Sequence, residues 1–385
     1  MIIGIDIRVL GSSVRSGVEE YTENLLAHLL PLDDSIKFKL FFSSFRGKLK
    51  DYDWLHLKNV ELFQFRIPNR ILFLSSGLAN FPKADKLIGG ADAFFSPHFF
   101  ITSLSAECKR VTTFHDLSYV RFPEFFSWRK NIWHNFEMNP HWQSRFSDKL
   151  IAVSESTKQD LAKLYGVDPA KIEVIHSGIS PEMKRPSAEE IADFKIKNKL
   201  PDKFILFLGK LEPRKNIVGI IKAFNILRSN LTTLREDIHL VIVGSKGWLY
   251  EDIFKNINIS KFKNQIILKD HIVDEDRRFY YGAAEVFVYP SFFEGFGFPP
   301  LEAMACGTPV VVSNSSSLPE VVGDSGILVQ PHNIDEIAGS ITRILTDKEF
   351  KKKITDLGIK KASTFNWRKT AEKTLDCILG NSYKT

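Results

Sequence analysis

Two carboxylates eight positions apart, Glu294 and Glu302, lie in the string PSFFEGFGFPPLEAMACGTPVVVSNSSSLPE, residues 290–320 of a 385-residue chain. Around and between them stand Gly295, Phe296, Gly297, Phe298 and Leu301. An apolar run, Val286 to Tyr289, leads in with the β-branched and aromatic residues of a buried parallel strand. The glycines allow a backbone to approach a ligand closely, and Pro299 and Pro300 suit the first turn of a helix at about Pro300 to Ala305. The leading end of that helix is partly positive and welcomes a phosphate. Carboxylates beside such an end make sense if the ligand carries hydroxyls as well as phosphates, as a nucleotide sugar does. Glu302 is then expected to accept hydrogen bonds from ribose hydroxyls, and Glu294 from hydroxyls of the transferred sugar. The plainer reading is a strand, a turn and a helix with two solvated glutamates.

A second centre is the adjacent pair Arg214 and Lys215, in GKLEPRKN after the apolar run Phe204 to Leu208. Two neighbouring cations are commonly only a solvated surface. At the end of the first strand of a Rossmann-like domain they face the crevice, where a fork-shaped guanidinium and a point ammonium suit the charge that builds on a departing phosphate. Their loss is expected to hurt turnover more than folding. His115 follows the run Val111 to Phe114, at the carboxyl end of a parallel strand, the side on which open α/β sheets bind ligands. A histidine at a strand end is otherwise structural, and Asp116 beside it suits a turn or cap. Asp51 and Asp53 form a D-x-D in a polar connection without further ligands, so no metal is expected there.

These residues carry a resemblance. The core EGFG-x-P-x-LEAMA-x-G-x-PVV resembles the E-x7-E signature of retaining glycosyltransferases of family 4, the RKN at 214–216 resembles that family's diphosphate clamp, and FHDLS its HDL site. The loop Arg8 to Ser16 and the helix opening at Gly17 resemble the family's glycine loop, matched by Ser16, Gly17, Val18 and Tyr21, with Glu20 where a basic residue is often found. Loop 269–272, with His271, resembles the element that recognises the base, although Asp270 stands where glycine is common.

The resemblance implies an α/β glycosyltransferase B fold, two Rossmann-like domains with parallel sheets facing across a cleft. It implies His115, Arg214, Lys215 and Glu294 as catalytic. Donor contacts would come from Gly17, Arg214, Lys215, His271, Glu294, Gly295, Phe296, Gly297, Phe298, Leu301 and Glu302. Acceptor contacts would come from Ser16, Gly17, Tyr21, His115 and Ser154. Neither metal nor cofactor is expected, since protein groups would hold the diphosphate. The implied reaction is retaining transfer of a hexose to a glycan or polyprenyl-linked acceptor, with the departing phosphate helping to deprotonate the acceptor hydroxyl. The wording is most similar to bacterial mannosyltransferases that build surface polysaccharides, which makes GDP-mannose the first expected donor. A UDP- or dTDP-sugar transferase and a non-catalytic nucleotide-sugar-binding protein are the alternatives.

The elements that must position these residues repeat a strand-helix alternation twice. A first strand at Ile2 to Ile7, a helix from Gly17 to about Leu30 and strands at 38–42, 111–114 and 149–153 give an N-terminal domain over 1–180. Residues 181–202, charged and flanked by prolines, read as a linker with a short helix. A nucleotide-sugar domain is expected over 203–365, with strands at 204–208, 239–243, 266–268, 286–289 and near 327–329, then two helices. The last, from Trp367, is expected to cross back onto the first domain as the segment 366–385. Ser154, just past its strand, suits either the cleft or a helix N-cap.

Composition limits the alternatives. Lys and Arg exceed Asp and Glu by 52 to 46, a mild excess that suits an anionic substrate or a membrane surface and does not argue for nucleic acid. Cys108, Cys306 and Cys377 have no metal-ligand spacing and form no even disulfide set, and no apolar stretch nears about 20 residues, so a cytoplasmic protein is expected. Residues 121–146 mix Phe and Trp with Arg and Lys. They read as a helix pair packing its aromatics into the N-terminal domain, or alternatively as a peripheral contact with an anionic membrane.

Overall fold

The computed structural model describes residues 1–11, 17–133, 138–230, 237–270 and 272–380. Two parallel sheets organise it. The first comprises β1 (Ile2–Asp6), β2 (Lys37–Ser43), β3 (Val60–Phe65), β4 (Ala93–Ser96), β5 (Lys109–Phe114), β6 (Lys149–Ala152) and β7 (Ile172–Val174), in the order β3-β2-β1-β4-β5-β6-β7. The second comprises β8 (Lys203–Leu208), β9 (Ile238–Val243), β10 (Ile266–Lys269), β11 (Val286–Tyr289), β12 (Val310–Ser313) and β13 (Ile327–Val329), in the order β10-β9-β8-β11-β12-β13. The apolar runs explain this: β11 and β12 have no exposed residue, as strands covered on both faces must. In each sheet the strand order reverses once, between β1 and β4 in the first and between β8 and β11 in the second. Those reversals open the crevices in which such sheets hold ligands.

The chain divides into two compact units. The first holds Met1–Arg121, Trp128–Gly178 and the chain from Asn366 onward; the second holds Phe122–Ser127 and Ile179–Phe365. The C-terminal helix, Trp367–Leu379, packs on the helix Gly17–Leu29 within the first unit. Thr370 Oγ1 donates to the His176 carbonyl at 2.8 Å, and Lys109 Nζ to that of Ile378 at 2.8 Å. Gly178 is required at this junction, because a Cβ there would lie 2.2 Å from the Trp367 nitrogen.

Several expectations change. The helix Ala188–Asn198, capped by a reciprocal Ser187–Glu190 box, is no free linker element: Phe194 packs on Phe279 and Tyr280 of the second unit. Phe122–Ser127 does not pack into the first unit either. Phe122 meets Phe293, Phe125 stacks on Phe292, and Phe126 stacks on Trp248, whose indole donates to the Phe125 carbonyl. Three helices follow β13 instead of two, because Asp347 ends Ile334–Thr346 and its carboxylate caps Lys348–Ala362 by accepting from Phe350 N at 2.9 Å. The stretch 48–65, read as a connection, contributes β3, a half-exposed edge strand. Asp51 lies 2.8 Å from exposed His56, and no group of three metal-ligating side chains occurs among the described residues.

Candidate active site

The switch point of the second sheet brings the sequence-predicted charges together. Strand β8 ends in an extended loop through Glu212, then a tight 3-10 turn, Pro213–Lys215, closed by Asn216 in the left-handed region at φ 54°. Asn216 Nδ2 donates to the carbonyls of Pro290 at 3.2 Å and Pro331 at 2.6 Å, tying this turn to the loops after strands β11 and β13. Phe292 N donates to the Arg214 carbonyl at 2.9 Å, closing the same seam. The sequence places the two cations and Glu294 79 or 80 positions apart. The adjacency of β8 and β11 puts them in contact.

Glu294 receives Lys215 Nζ on Oε1 at 2.7 Å and Arg214 Nη1 on Oε2 at 3.0 Å. Arg214 also donates to the Phe293 carbonyl at 2.5 Å and to Glu212 Oε1 at 2.8 Å, and Lys215 to the Tyr289 hydroxyl at 2.5 Å. Two cations and two carboxylates thus balance in a largely buried pocket, with Arg214 the most exposed of the four at 13% of its side chain. Burial alone would raise the Glu294 carboxyl; Arg214 and then Lys215 reverse this and hold it at about 2, so it is ionised at neutral pH. Burial, aided by Arg214 and opposed by the carboxylates, lowers the Lys215 ammonium. Lys215 is therefore also a structural partner of Glu294. Removing it would leave a buried carboxylate short of a partner.

The glycine loop follows immediately. Gly297, at φ 107°, is the N-cap of the helix Phe298–Ala305, and a Cβ there would lie 2.7 Å from Leu318, so neither conformation nor space admits a larger residue. Glu294 N donates to Ser316 Oγ at 2.8 Å, and Ser317 Oγ reaches the carbonyls of Glu294 and Phe296 at 3.0 and 2.7 Å, pinning the loop that carries the carboxylate. Gly295 and Phe296 are buried in that loop, and Phe298 is half-buried. Leu301 faces the core with no exposed surface, so its side chain packs inside the unit. Glu302 is buried too: it accepts from the Tyr281 hydroxyl at 2.7 Å and pairs with Arg277 Nη2 at 3.2 Å, tethering its helix to the helix Arg277–Ala283.

In the first unit, His115 follows β5 and is partly exposed. Its Nε2 lies 2.8 Å from the Pro97 carbonyl, and its ring stands edge-on to Tyr21 with centroids 4.8 Å apart. A carbonyl only accepts, so Nε2 carries the proton; burial lowers the imidazole pKa despite that carbonyl, which leaves a neutral ring whose Nδ1 is an acceptor. Tyr21 has no exposed surface and packs edge-on behind His115. Ser154, equally buried, is an N-cap: its Oγ accepts from Thr157 N at 3.1 Å. Gly17 begins its helix in the open, while Ser16 and His271 lie outside the described residues. Sequence reasoning gave no role to Glu212, Tyr289, Tyr281 or Arg277. Glu212, two positions before Arg214, was the one partner with a local signal.

Comparison with known proteins finds relatives over most of the chain. The Glycosyltransferase Family 4 model matches residues 15–183, and that of Glycosyl transferases group 1 matches 188–361. The chain is 32% identical to O-antigen chain mannosyltransferase B of Escherichia coli, over 76% of this chain and 74% of that protein. It is 31% identical to the serotype-specific mannosyltransferase WbdA of Escherichia coli over 74% of this chain, which spans only 36% of that longer protein. Among solved structures, sucrose-phosphate synthase from Thermosynechococcus elongatus superposes with a TM-score of 0.76 over 98% of both chains at 20% identity. The lipopolysaccharide-biosynthesis glycosyltransferase WaaG does so with a TM-score of 0.71 over 99% of this chain and 100% of that one at 16% identity, and both likenesses speak for the fold alone. The switch-point cluster, the two matched family regions and the shared fold together show that the chain belongs to the family 4, group 1 glycosyltransferases and has the glycosyltransferase B fold.

Proposed function

We propose that the chain transfers a mannosyl residue from GDP-mannose, with retention, to a hydroxyl of a glycan or polyprenyl-linked sugar in the synthesis of a bacterial surface polysaccharide. The convergence of Arg214, Lys215 and Glu294 at the second switch point carries the transfer chemistry. The 32% identity to an O-antigen mannosyltransferase is what favours mannose.

The donor diphosphate competes with Glu212 and Glu294 for the N–H groups of the two cations, and Glu294, released but still ionised, accepts from hydroxyls of the sugar. The bond from the anomeric carbon to the diphosphate oxygen breaks as Arg214 and Lys215 take up the growing phosphate charge. The acceptor oxygen bonds to that carbon on the same face, and its proton passes to the departing phosphate. His115, neutral with Nδ1 as acceptor, orients a substrate hydroxyl. Glu302 takes the ribose, with Tyr281 and Arg277 fixing its carboxylate. The cation pair does the work a divalent metal would do, so transfer should survive a chelator. A polyprenyl carrier would locate the reaction at the cytoplasmic face of the membrane.

Thermal stabilisation by GDP, UDP and dTDP, followed by GDP release from GDP-mannose with and without acceptor, tests this reading. A nucleotide at a hundredfold its dissociation constant adds about 2.7 kcal/mol. Selective response to GDP supports mannose; response to UDP or dTDP alone overturns the donor; binding without transfer or hydrolysis makes the protein a nucleotide-sugar binder.

A further inference from the structure

The helix Asn69–Ala79 in the first unit is apolar on both sides. Its inner side buries Leu72 and Phe73, while its outer side exposes Ile71, Leu74 and Leu78 at helical spacing, Leu78 by 87%. Just beyond the left-handed cap Asn80, Phe81 adds a fourth exposed apolar side chain. A helix that is apolar all round normally has partners all round.

The neighbouring surface continues the pattern. Phe73 shares a core cluster with Ile101 and Met138, against which Trp133 and Trp142 pack, so the segments 128–133 and 138–146 flank this helix. They too turn large apolar groups outward: Trp128, Ile132 and Phe146. Arg70, Arg129 and Arg145 are exposed among them. No Asp or Glu occurs anywhere in 62–84, 128–133 or 138–147. Glu137 is the one acid in 128–147. Single exposed apolar residues need no explanation, but this many on adjoining segments, with three exposed arginines, do.

We propose that this face, centred on Ile71, Leu74, Leu78 and Phe81, seats the protein on an anionic bilayer, with the apolar side chains at the acyl boundary and the arginines at the headgroups. A second copy of the chain fits worse, since a two-fold interface here would set the same arginines against one another with few carboxylates in these segments to answer them. The membrane contact expected for 121–146 is thereby re-centred. Residues 122–127 pack into the second unit, and the helix 69–79 supplies the apolar face. The inference rests on the transfer reading only for its purpose, access to a lipid-linked acceptor. Vesicle binding is read without any donor, so either can fail while the other stands.

The test is co-sedimentation of the full chain with vesicles of phosphatidylglycerol and phosphatidylethanolamine, against vesicles of phosphatidylcholine. Binding should favour the anionic vesicles at least tenfold and weaken with salt. Leu74→Gln with Leu78→Gln should lower it at least tenfold with an unchanged melting temperature, whereas Ile196→Gln, an equally open apolar site elsewhere, should not. Equal partition of wild type and double variant would overturn the proposal. So would a concentration-dependent dimer that the same double substitution abolishes, which would make the face a self-association surface.

Discussion

The two sheets offer the same crevice twice, and the chain uses them differently. At the first switch point, the loops after β1 and β4 bring together Asp6, Arg8 and His98; at the second, those after β8 and β11 bring together Arg214, Lys215 and Glu294. Both are clusters of buried opposite charges. In the first, Arg8 clasps Asp6 with Nε at 3.0 Å and Nη2 at 2.6 Å, donates to Thr102 Oγ1 at 2.6 Å, and is sandwiched by the rings of Phe41, Phe73 and Phe100. Its side chain is 1% exposed, against 13% for Arg214. Aromatic faces cover Arg8, whereas Arg214 keeps a rim of exposure. The topology therefore supplies two places for charge, and the residues around each decide how far that charge is shut off from solvent.

The largest effect should come from the sealed crevice. Arg8→Ala strands a buried carboxylate and should cost about 3–5 kcal/mol in denaturant unfolding, while the folded fraction binds nucleotide as before. Arg214→Ala should cost less stability, because Glu294 keeps Lys215, and should act mainly on turnover. Turnover falls about 10²–10³-fold, in the range seen when one preorganised donor to a developing oxyanion is removed, and stabilisation by nucleotide diphosphate is lost. If Arg214→Ala unfolds as easily as Arg8→Ala and still turns over, the two crevices are not distinct. A smaller effect sharpens the contrast: Glu294→Gln keeps the shape but removes the charge that competes with the donor for the cations. It should lower kcat about tenfold or more without raising the KM for donor. A raised KM with normal kcat would show that Glu294 only helps bind.

Much of this was legible in the sequence, and the limits have physical causes. The strand β11, the helix after it and the cation pair announce themselves through an uninterrupted apolar run, two glycines, two prolines and a following periodic segment, all local signals. Partners that depend on strand adjacency carry no local sign. Tyr289 reads as one more core aromatic until Lys215 is beside it, and Tyr281 and Arg277 have no visible tie to Glu302 until two helices pack. Phe122–Ser127 is misplaced by chain order, because nearness in sequence favours the first unit and only stacking on Phe292 and Trp248 reveals the second. The strand β3 escapes because an exposed edge interleaves Glu61 and Gln64 with its apolar residues. Tyr21 and Ser154 read by pattern as acceptor contacts; both side chains are buried, Tyr21 edge-on to His115 and Ser154 as the helix cap that its place after the strand also suggested.

The finest distinction between the crevices is their response to mild acid. Burial pushes the His98 imidazole from its ordinary 6.5 down to about 3, although Asp6, with Oδ1 3.7 Å from Nε2, pulls the other way. The unfolded chain takes up a proton near 6.5 and the folded chain does not until about 3, so between those values the unfolded state binds more protons. The stability this neutral histidine contributes is full at higher pH and is lost as pH falls through that window, by about 1 kcal/mol between pH 7 and 5.5. Glu294 is silent over the same interval. Its carboxyl, held at about 2 against an ordinary 4.5, is ionised in both states, and its contribution is lost only as pH drops below about 4.5. His98→Asn provides the control, since an amide oxygen can accept from Phe100 N in place of Nδ1, which does so at 3.0 Å. His115, also held neutral, titrates alike in both proteins and cancels in their difference. Denaturant unfolding at pH 7 and 5.5 should therefore show wild type losing about 1 kcal/mol more than His98→Asn. Equal losses would mean that His98 protonates in place, that water reaches the Asp6–Arg8 pair, and that the first crevice is open like the second.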